Sequence, residues 1–143
     1  MLRKSLWFLF LISIGNLSFA ENFEIKMLNR GVNGSMVYEP NFLKVKVGDV
    51  VEFISVDKGH NVESIKGMLP VGITKFKSKI SENFVFVVPK EGLYGLKCTP
   101  HYMMGMVAII QAGSASNLDA VKNVKHRGKA KKRFKEIFNK ISQ

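Results

Sequence analysis

The stretch Gly92-Leu93-Tyr94-Gly95-Leu96-Lys97-Cys98-Thr99-Pro100-His101-Tyr102-Met103-Met104-Gly105-Met106-Val107-Ala108-Ile109-Ile110-Gln111 places two apolar segments around a short connection. Each segment is the length of a strand, and glycine bounds or interrupts the first. Cys98 ends one strand and Met106 opens the next, so the loop between them can curl around a central point. Pro100 removes a backbone N–H and stiffens that loop. A strand pair presenting such a loop belongs to a sheet of short strands joined by turns.

Upstream, the pattern continues in the same style. Phe23, Ile25 and Met27 alternate with polar residues, as in a half-buried strand, and Leu43, Val45 and Val47 repeat the alternation. Gly48-Asp49 turns the chain into Val50-Val51-Glu52-Phe53-Ile54, and Asn83–Val88 is a Phe- and Val-rich run stopped by Pro89. Many short strands with turn signals between them predict an antiparallel sandwich or barrel. No helical pattern alternates with the strands, which argues against a parallel α/β sheet.

Downstream of Gly113 the period changes. Asn117 is placed to cap a short helix over Leu118–Val124, and Gly128 breaks the chain. Ala130, Phe134, Ile137, Phe138 and Ile141 then share one helical face, with Lys131, Lys132, Arg133, Lys135 and Lys140 on the others. A helical appendage from about residue 117 is expected to pack on the sandwich. Its charge run reads as a solvated face, and His126 within it as a solvated histidine.

The first twenty residues read as a cleaved export signal: Arg3 and Lys4, the apolar run Leu6–Ile14, then Ser18-Phe19-Ala20 at the cleavage point. The apolar run is short for a membrane span. Residues 21–143 are expected to form one domain. The full chain has formal charge +11 and a single cysteine. Residues 21–116 carry 11 basic and 9 acidic groups, whereas 117–143 carry 9 and 2. Such a chain meets acidic partners faster than neutral ones. One cysteine forms no internal disulfide, so in an oxidising compartment it is paired between molecules, reactive or occupied.

The neighbours of Cys98 favour occupation by a metal. His101, Met106 and the His60 of the turn Asp57-Lys58-Gly59-His60-Asn61 complete a set of one thiolate, two imidazoles and one thioether. Soft sulfur donors favour Cu(I), and His₂Cys with a weak axial Met is the composition of one-electron copper sites. Met103 and Met104 are alternative thioethers, with the spacing favouring Met106. Zinc is a chemically possible occupant of the Cys-His₂ set, and Cys98 with a histidine base is the pattern of a thiol nucleophile. The latter leaves Pro100 and Met106 without a purpose.

Several stretches resemble the pseudoazurins, small type 1 copper proteins of the cupredoxin family. They are Met27-Leu28-Asn29, Met36-Val37-Tyr38-Glu39-Pro40, Asp57–Glu63, Lys66-Gly67-Met68, Phe76–Ile80 and Tyr94–Met106. The likeness covers essentially everything after residue 20. It implies an all-β, cupredoxin-like Greek-key β-sandwich with a C-terminal two-helix appendage. It implies one copper ion per chain, held by His60, Cys98, His101 and Met106, and an electron carrier rather than an enzyme. Asn61 resembles the residue that steadies the loops and donates its backbone N–H to the Cys98 sulfur. His101 resembles the ligand at the surface, with apolar Met36, Pro100, Tyr102 and Met104 around it. Where pseudoazurins usually have glycine, this chain has Met103.

The resemblance further implies transient docking to acidic-faced redox proteins, a copper nitrite reductase as acceptor and a c-type cytochrome as donor. Tyr102, Met103, Met104, Lys58, Lys66 and Lys97 are the candidate docking residues. A periplasmic monomer is expected, without a nucleic-acid partner or a stable membrane association. Copper delivery or storage is the alternative that the methionine content suggests.

Overall fold

The computed structural model describes residues 19–141. The expected export signal, residues 1–20, lies outside the described residues except for its last two positions. Among these residues, eight strands form two four-stranded sheets. The strands are β1 (Asn22–Gly31), β2 (Gly34–Glu39), β3 (Phe42–Val45), β4 (Val50–Ser55), β5 (Glu63–Ser64), β6 (Phe84–Val87), β7 (Gly92–Lys97) and β8 (Val107–Ala112). One sheet runs β2-β1-β4-β6 and the other β3-β8-β7-β5. Two helices follow, α1 (Leu118–Asn123) and α2 (Gly128–Phe138).

The sheets are mixed rather than purely antiparallel. β1 pairs with β4 in parallel, and so does β3 with β8. The cause is the path of the chain. After the β1–β2 hairpin it crosses to the other sheet as β3 and returns as β4 on the far side of β1. It therefore enters in the direction that β1 took. Val47 lies beyond the end of β3 and is exposed, so the third member of its alternation faces solvent.

Between the sheets lies the main core, which includes Ile25, Met27, Tyr38, Val51, Phe53, Tyr94, Leu96, Cys98, Met106 and Ile110. The outer face of the second sheet carries a second core. There Leu93, Val107 and Ile109 meet Val121, Ala130, Phe134 and Ile137 of the helices. Alternate residues of β7 and β8 thus serve different cores, and the two strands are buried on both faces. Gly95 is required on the outer face, because a Cβ there would lie 2.6 Å from two carbons of the Met68 side chain.

Asn117 stands at the start of α1, yet its side chain forms no cap. Instead its Oδ1 accepts from the Leu93 N–H at 2.7 Å and its Nδ2 donates to the Leu93 carbonyl at 3.0 Å. It fastens α1 to β7, where an exposed helix start would have used the same atoms on its own amides.

Candidate metal centre

His60 sits in the turn after β4 and is fully buried. The turn is held from several sides. Gly59 N–H donates to Ser81 Oγ at 2.9 Å, Ser81 N–H to the His60 carbonyl at 2.8 Å, and Tyr38 O–H to the Asn61 carbonyl at 2.5 Å. His60 Nε2 lies 2.8 Å from Asn29 Oδ1. An amide oxygen only accepts, so Nε2 carries the proton and Nδ1 keeps its lone pair for the centre.

The second loop is closed at its mouth by a bond from Cys98 N–H to the Met106 carbonyl, 2.9 Å. Inside it, Tyr102–Met104 form one 3₁₀ turn that ends at Gly105 with φ 91°. Both Met104 N–H and Met106 N–H donate to the His101 carbonyl at 3.1 Å. These bonds set the His101 ring beside Cys98. Met106 is fully buried in the same apolar cluster as Cys98, whereas Met103 and Met104 are 55% and 41% exposed. Of the three sulfurs, Met106's is the one enclosed with the thiol.

His60, Cys98 and His101 come together with their ligand atoms within 4.8 Å of one another. The edges are 3.1 Å between the two Nδ1 atoms, 3.8 Å from Sγ to His60 and 3.5 Å from Sγ to His101. A point equidistant from the three atoms lies about 2.0 Å from each, the bond length of imidazole to a small first-row metal ion and slightly short for thiolate. The donor chemistry and spacing therefore fit copper. Burial pulls the His60 imidazole below its ordinary pKa, helped by His101 and opposed by Asp57. Burial pushes the Cys98 thiol up, against backbone hydrogen bonds from Asn61 and His101. A neutral imidazole is ready to bind a cation, and the thiol must release its proton as metal enters.

Asn61 ties the two loops together. Its Oδ1 accepts from Thr99 N–H at 2.8 Å, and its Nδ2 donates to Thr99 Oγ1 at 3.0 Å. Thr99 Oγ–H donates in turn to Glu63 at 2.6 Å. Glu63 also lies 3.8 Å from the Lys97 ammonium and 3.7 Å from that of Lys77. Lys97, over the Tyr102 ring at 5.6 Å, is thus partly neutralised, whereas Lys58 and Lys66 are exposed. Pro100 is exposed on the loop, and Met36 packs half-buried against the main core. Met103 leans toward α2: a Cβ at Gly128 would lie 2.6 Å from its carbonyl and 3.1 Å from its methyl.

Two readings of the basic tail change. His126 is not solvated: its Nδ1 lies 2.8 Å from Tyr102 Oη, and its ring is 4.1 Å from that of Phe134. Its Nε2 is buried with no hydrogen-bond partner among the described residues, and burial lowers its pKa. Tyr102 and Phe134 enclose the ring once α2 docks. Arg133 is not part of the solvated face either. It reaches under the ligand loop, because α2 turns that position toward the sandwich. Asn29 and Tyr38, which orient the His60 turn, have no local motif that marks them as such. Both lie within stretches carrying the family likeness, Met27–Asn29 and Met36–Pro40, which was the one available signal.

Residues 25–113 match the family of copper binding proteins of plastocyanin/azurin type. Pseudoazurin from Paracoccus pantotrophus is 49% identical over 87% of this chain and 86% of its own. Pseudoazurin from Methylorubrum extorquens is 46% identical over 85% and 83%. The crystal structure of native pseudoazurin from Hyphomicrobium denitrificans superposes with a TM-score of 0.82 at 44% identity, covering 85% of this chain and 99% of that one. The two-sheet sandwich, the helices behind it and the His-Cys-His cluster at its end accord with these likenesses, and the chain belongs to the plastocyanin/azurin family of copper binding proteins, among its pseudoazurins.

Proposed function

We propose that His60, Cys98, His101 and Met106 hold the single copper ion of this type 1 copper electron carrier, and that electrons pass through the His101 edge to acidic-faced redox proteins. The observation that carries the ligand reading is the triangle of Nδ1, Sγ and Nδ1 atoms, with Asn29 fixing the His60 tautomer. Bound copper supplies a one-electron Cu(II)/Cu(I) couple. The chain's part is to keep the ligands from moving. Two strand ends, the Asn61–Thr99 bridge and the closed loop mouth oppose rearrangement when the charge of the centre changes. Burial of His60, Cys98 and Met106 excludes water. His101, half-buried, is the one of the four with surface exposure.

Met103, Met104 and Tyr102 lie on the loop beside His101 and form its contact face, and Lys58 and Lys66 supply positive charge for steering. Binding is weak and transient, as suits a shuttle. By family likeness the acceptor is a copper nitrite reductase and the donor a c-type cytochrome. Residues 1–20 direct export to the periplasm, leaving residues 21–143 as the working domain. Among the described residues no helix is long and apolar enough to cross a membrane.

The test is the absorption and EPR spectrum of the copper-loaded domain beside its Cys98→Ser variant. An intense thiolate-to-copper band in the parent, absent from the variant, is expected; survival of the band in Cys98→Ser refutes the ligand assignment. Copper retained through repeated oxidation and reduction marks a carrier, whereas ready surrender of Cu(I) to a competing chelator marks a delivery protein.

A further inference from the structure

Asn29 and Met36 face each other across the β1–β2 hairpin, yet they are missing from its ladder. Pairing runs through Leu28↔Val37, skips this position and resumes at Arg30↔Ser35. Both residues use the gap. Asn29 N–H donates to Asp57 Oδ2 at 2.6 Å, and its side-chain oxygen meets His60 Nε2. Met36 takes a left-handed backbone conformation, φ 52°, which is unfavourable for a residue with a Cβ. Something must hold it there.

The Arg133 side chain does so from α2. Its Nη1 donates to the Met36 carbonyl and to the Gly105 carbonyl, each at 2.7 Å. Its Nη2 donates to the carbonyls of Ser35 at 3.0 Å and Asn33 at 3.2 Å. No carboxylate stands within ion-pair distance of it among the described residues. The rigid guanidinium fork bridges two chain segments in a way that a single ammonium does not. Gly105 immediately precedes Met106, and a Cβ on Gly105 would lie 3.0 Å from Arg133 Cδ. The cation therefore lies directly against the loop that supplies three of the four ligands.

We propose that Arg133 is a positioning residue for the copper centre: its guanidinium holds open the β1–β2 ladder at Met36, which frees Asn29 to orient His60, and fixes the Gly105 carbonyl next to Met106. It acts through the ligands assigned above, so it presupposes that assignment. The fixed positive charge beside the loop also favours the reduced ion, whose centre carries one charge less.

Three variants separate this role from simple helix docking. Arg133→Lys keeps the charge and loses the fork, Arg133→Met loses both, and Ile137→Val weakens the seating of α2 without touching the four carbonyls. In both Arg133 variants the intensity ratio of the copper–thiolate bands and the EPR hyperfine splitting should change. The reduction potential should fall further in Arg133→Met than in Arg133→Lys. In the metal-free protein, amide NMR signals of Asn29, His60 and Met106 should shift in both, and Ile137→Val should lower thermal stability while leaving spectrum and potential as they were. An unchanged spectrum and unmoved Asn29, His60 and Met106 amides in Arg133→Lys and Arg133→Met overturn the proposal. So does an Ile137→Val protein that reproduces their spectral change. Absence of the thiolate band from the parent protein would instead overturn the ligand assignment itself.

Discussion

His60 and His101 offer the same atom to the same point from opposite settings. The His60 ring is fully buried, with one nitrogen bound to Asn29 and the other aimed at Cys98, and its turn is tied to β2 and to the segment around Ser78–Ser81. The His101 ring is half-buried on a loop backed by α2, where Arg133, His126 and Gly128 support it from behind. One imidazole is an anchor inside the sandwich and the other is a mounted edge. On the proposed assignment, a ligand pair built this way separates two duties that a symmetrical site would confuse: keeping the metal still, and letting an electron out.

The largest effect that could break this contrast is the loss of either ring. Replacing His101 with Gly should leave a vacancy open to solvent, so that added imidazole restores the copper spectrum. In His60→Gly the vacancy is enclosed, and restoration should need at least about tenfold more imidazole, a difference of about 1.4 kcal/mol or more in binding. Equal rescue of the two variants would remove the distinction between anchor and edge. Next comes the thioether of Met106. Met106→Gln should keep copper bound while lowering the reduction potential, because a harder donor favours Cu(II); a raised potential would count against Met106 as a ligand.

A smaller loss should follow from loosening the anchor. Tyr38→Phe removes the donor to the Asn61 carbonyl and leaves a buried acceptor unpaired, which costs about 1–3 kcal/mol. Denaturant unfolding of the parent and variant measures it directly, and a change within error would mean that the turn is held by its other bonds alone. The mounted edge should respond more weakly, and to acid. Burial lowers the folded-state pKa of His126 from its ordinary 6.5. Its contribution to stability is then complete above about pH 6.5 and is lost as the pH falls through the folded value. His126→Phe should flatten the decline in unfolding free energy between about pH 8 and about pH 5 relative to the parent. Parallel curves would show that the ring titrates as freely folded as unfolded.

What could be read from the chain follows the distance between cooperating residues. Cys98, His101 and Met106 lie in one short loop between two strands, so composition and spacing together exposed them. His60 was visible because its turn carries its own glycine and asparagine. The strands of β7 and β8 announced themselves by continuous apolar character. Arg133 gave no such sign. Its carbonyl partners in the β1–β2 hairpin are separated from it by 97 to 100 residues, and a lysine-rich helix face is an ordinary surface pattern. His126 was concealed in the same way, since its walls, Phe134 of α2 and Tyr102 of the ligand loop, come together only when the helix docks. The two parallel strand pairs depend on a crossover between sheets, which local alternation does not encode. Asn29 looks like any polar residue of an edge hairpin until the ladder is seen to skip it.

The double burial of β7 and β8 has a consequence for how this protein tolerates change. In β6 the exposed Val85 and Val87 alternate with Phe84 and Phe86, so a saturation scan should return a striped record with every second position permissive. In β7 and β8 there is no permissive stripe, because inward residues pack around the thiolate and outward ones seat the helices. A lineage diversifying its partners would therefore rewrite the rim and the tail while those two strands stayed nearly silent, and drift in them would be a sign of a protein that has stopped carrying electrons.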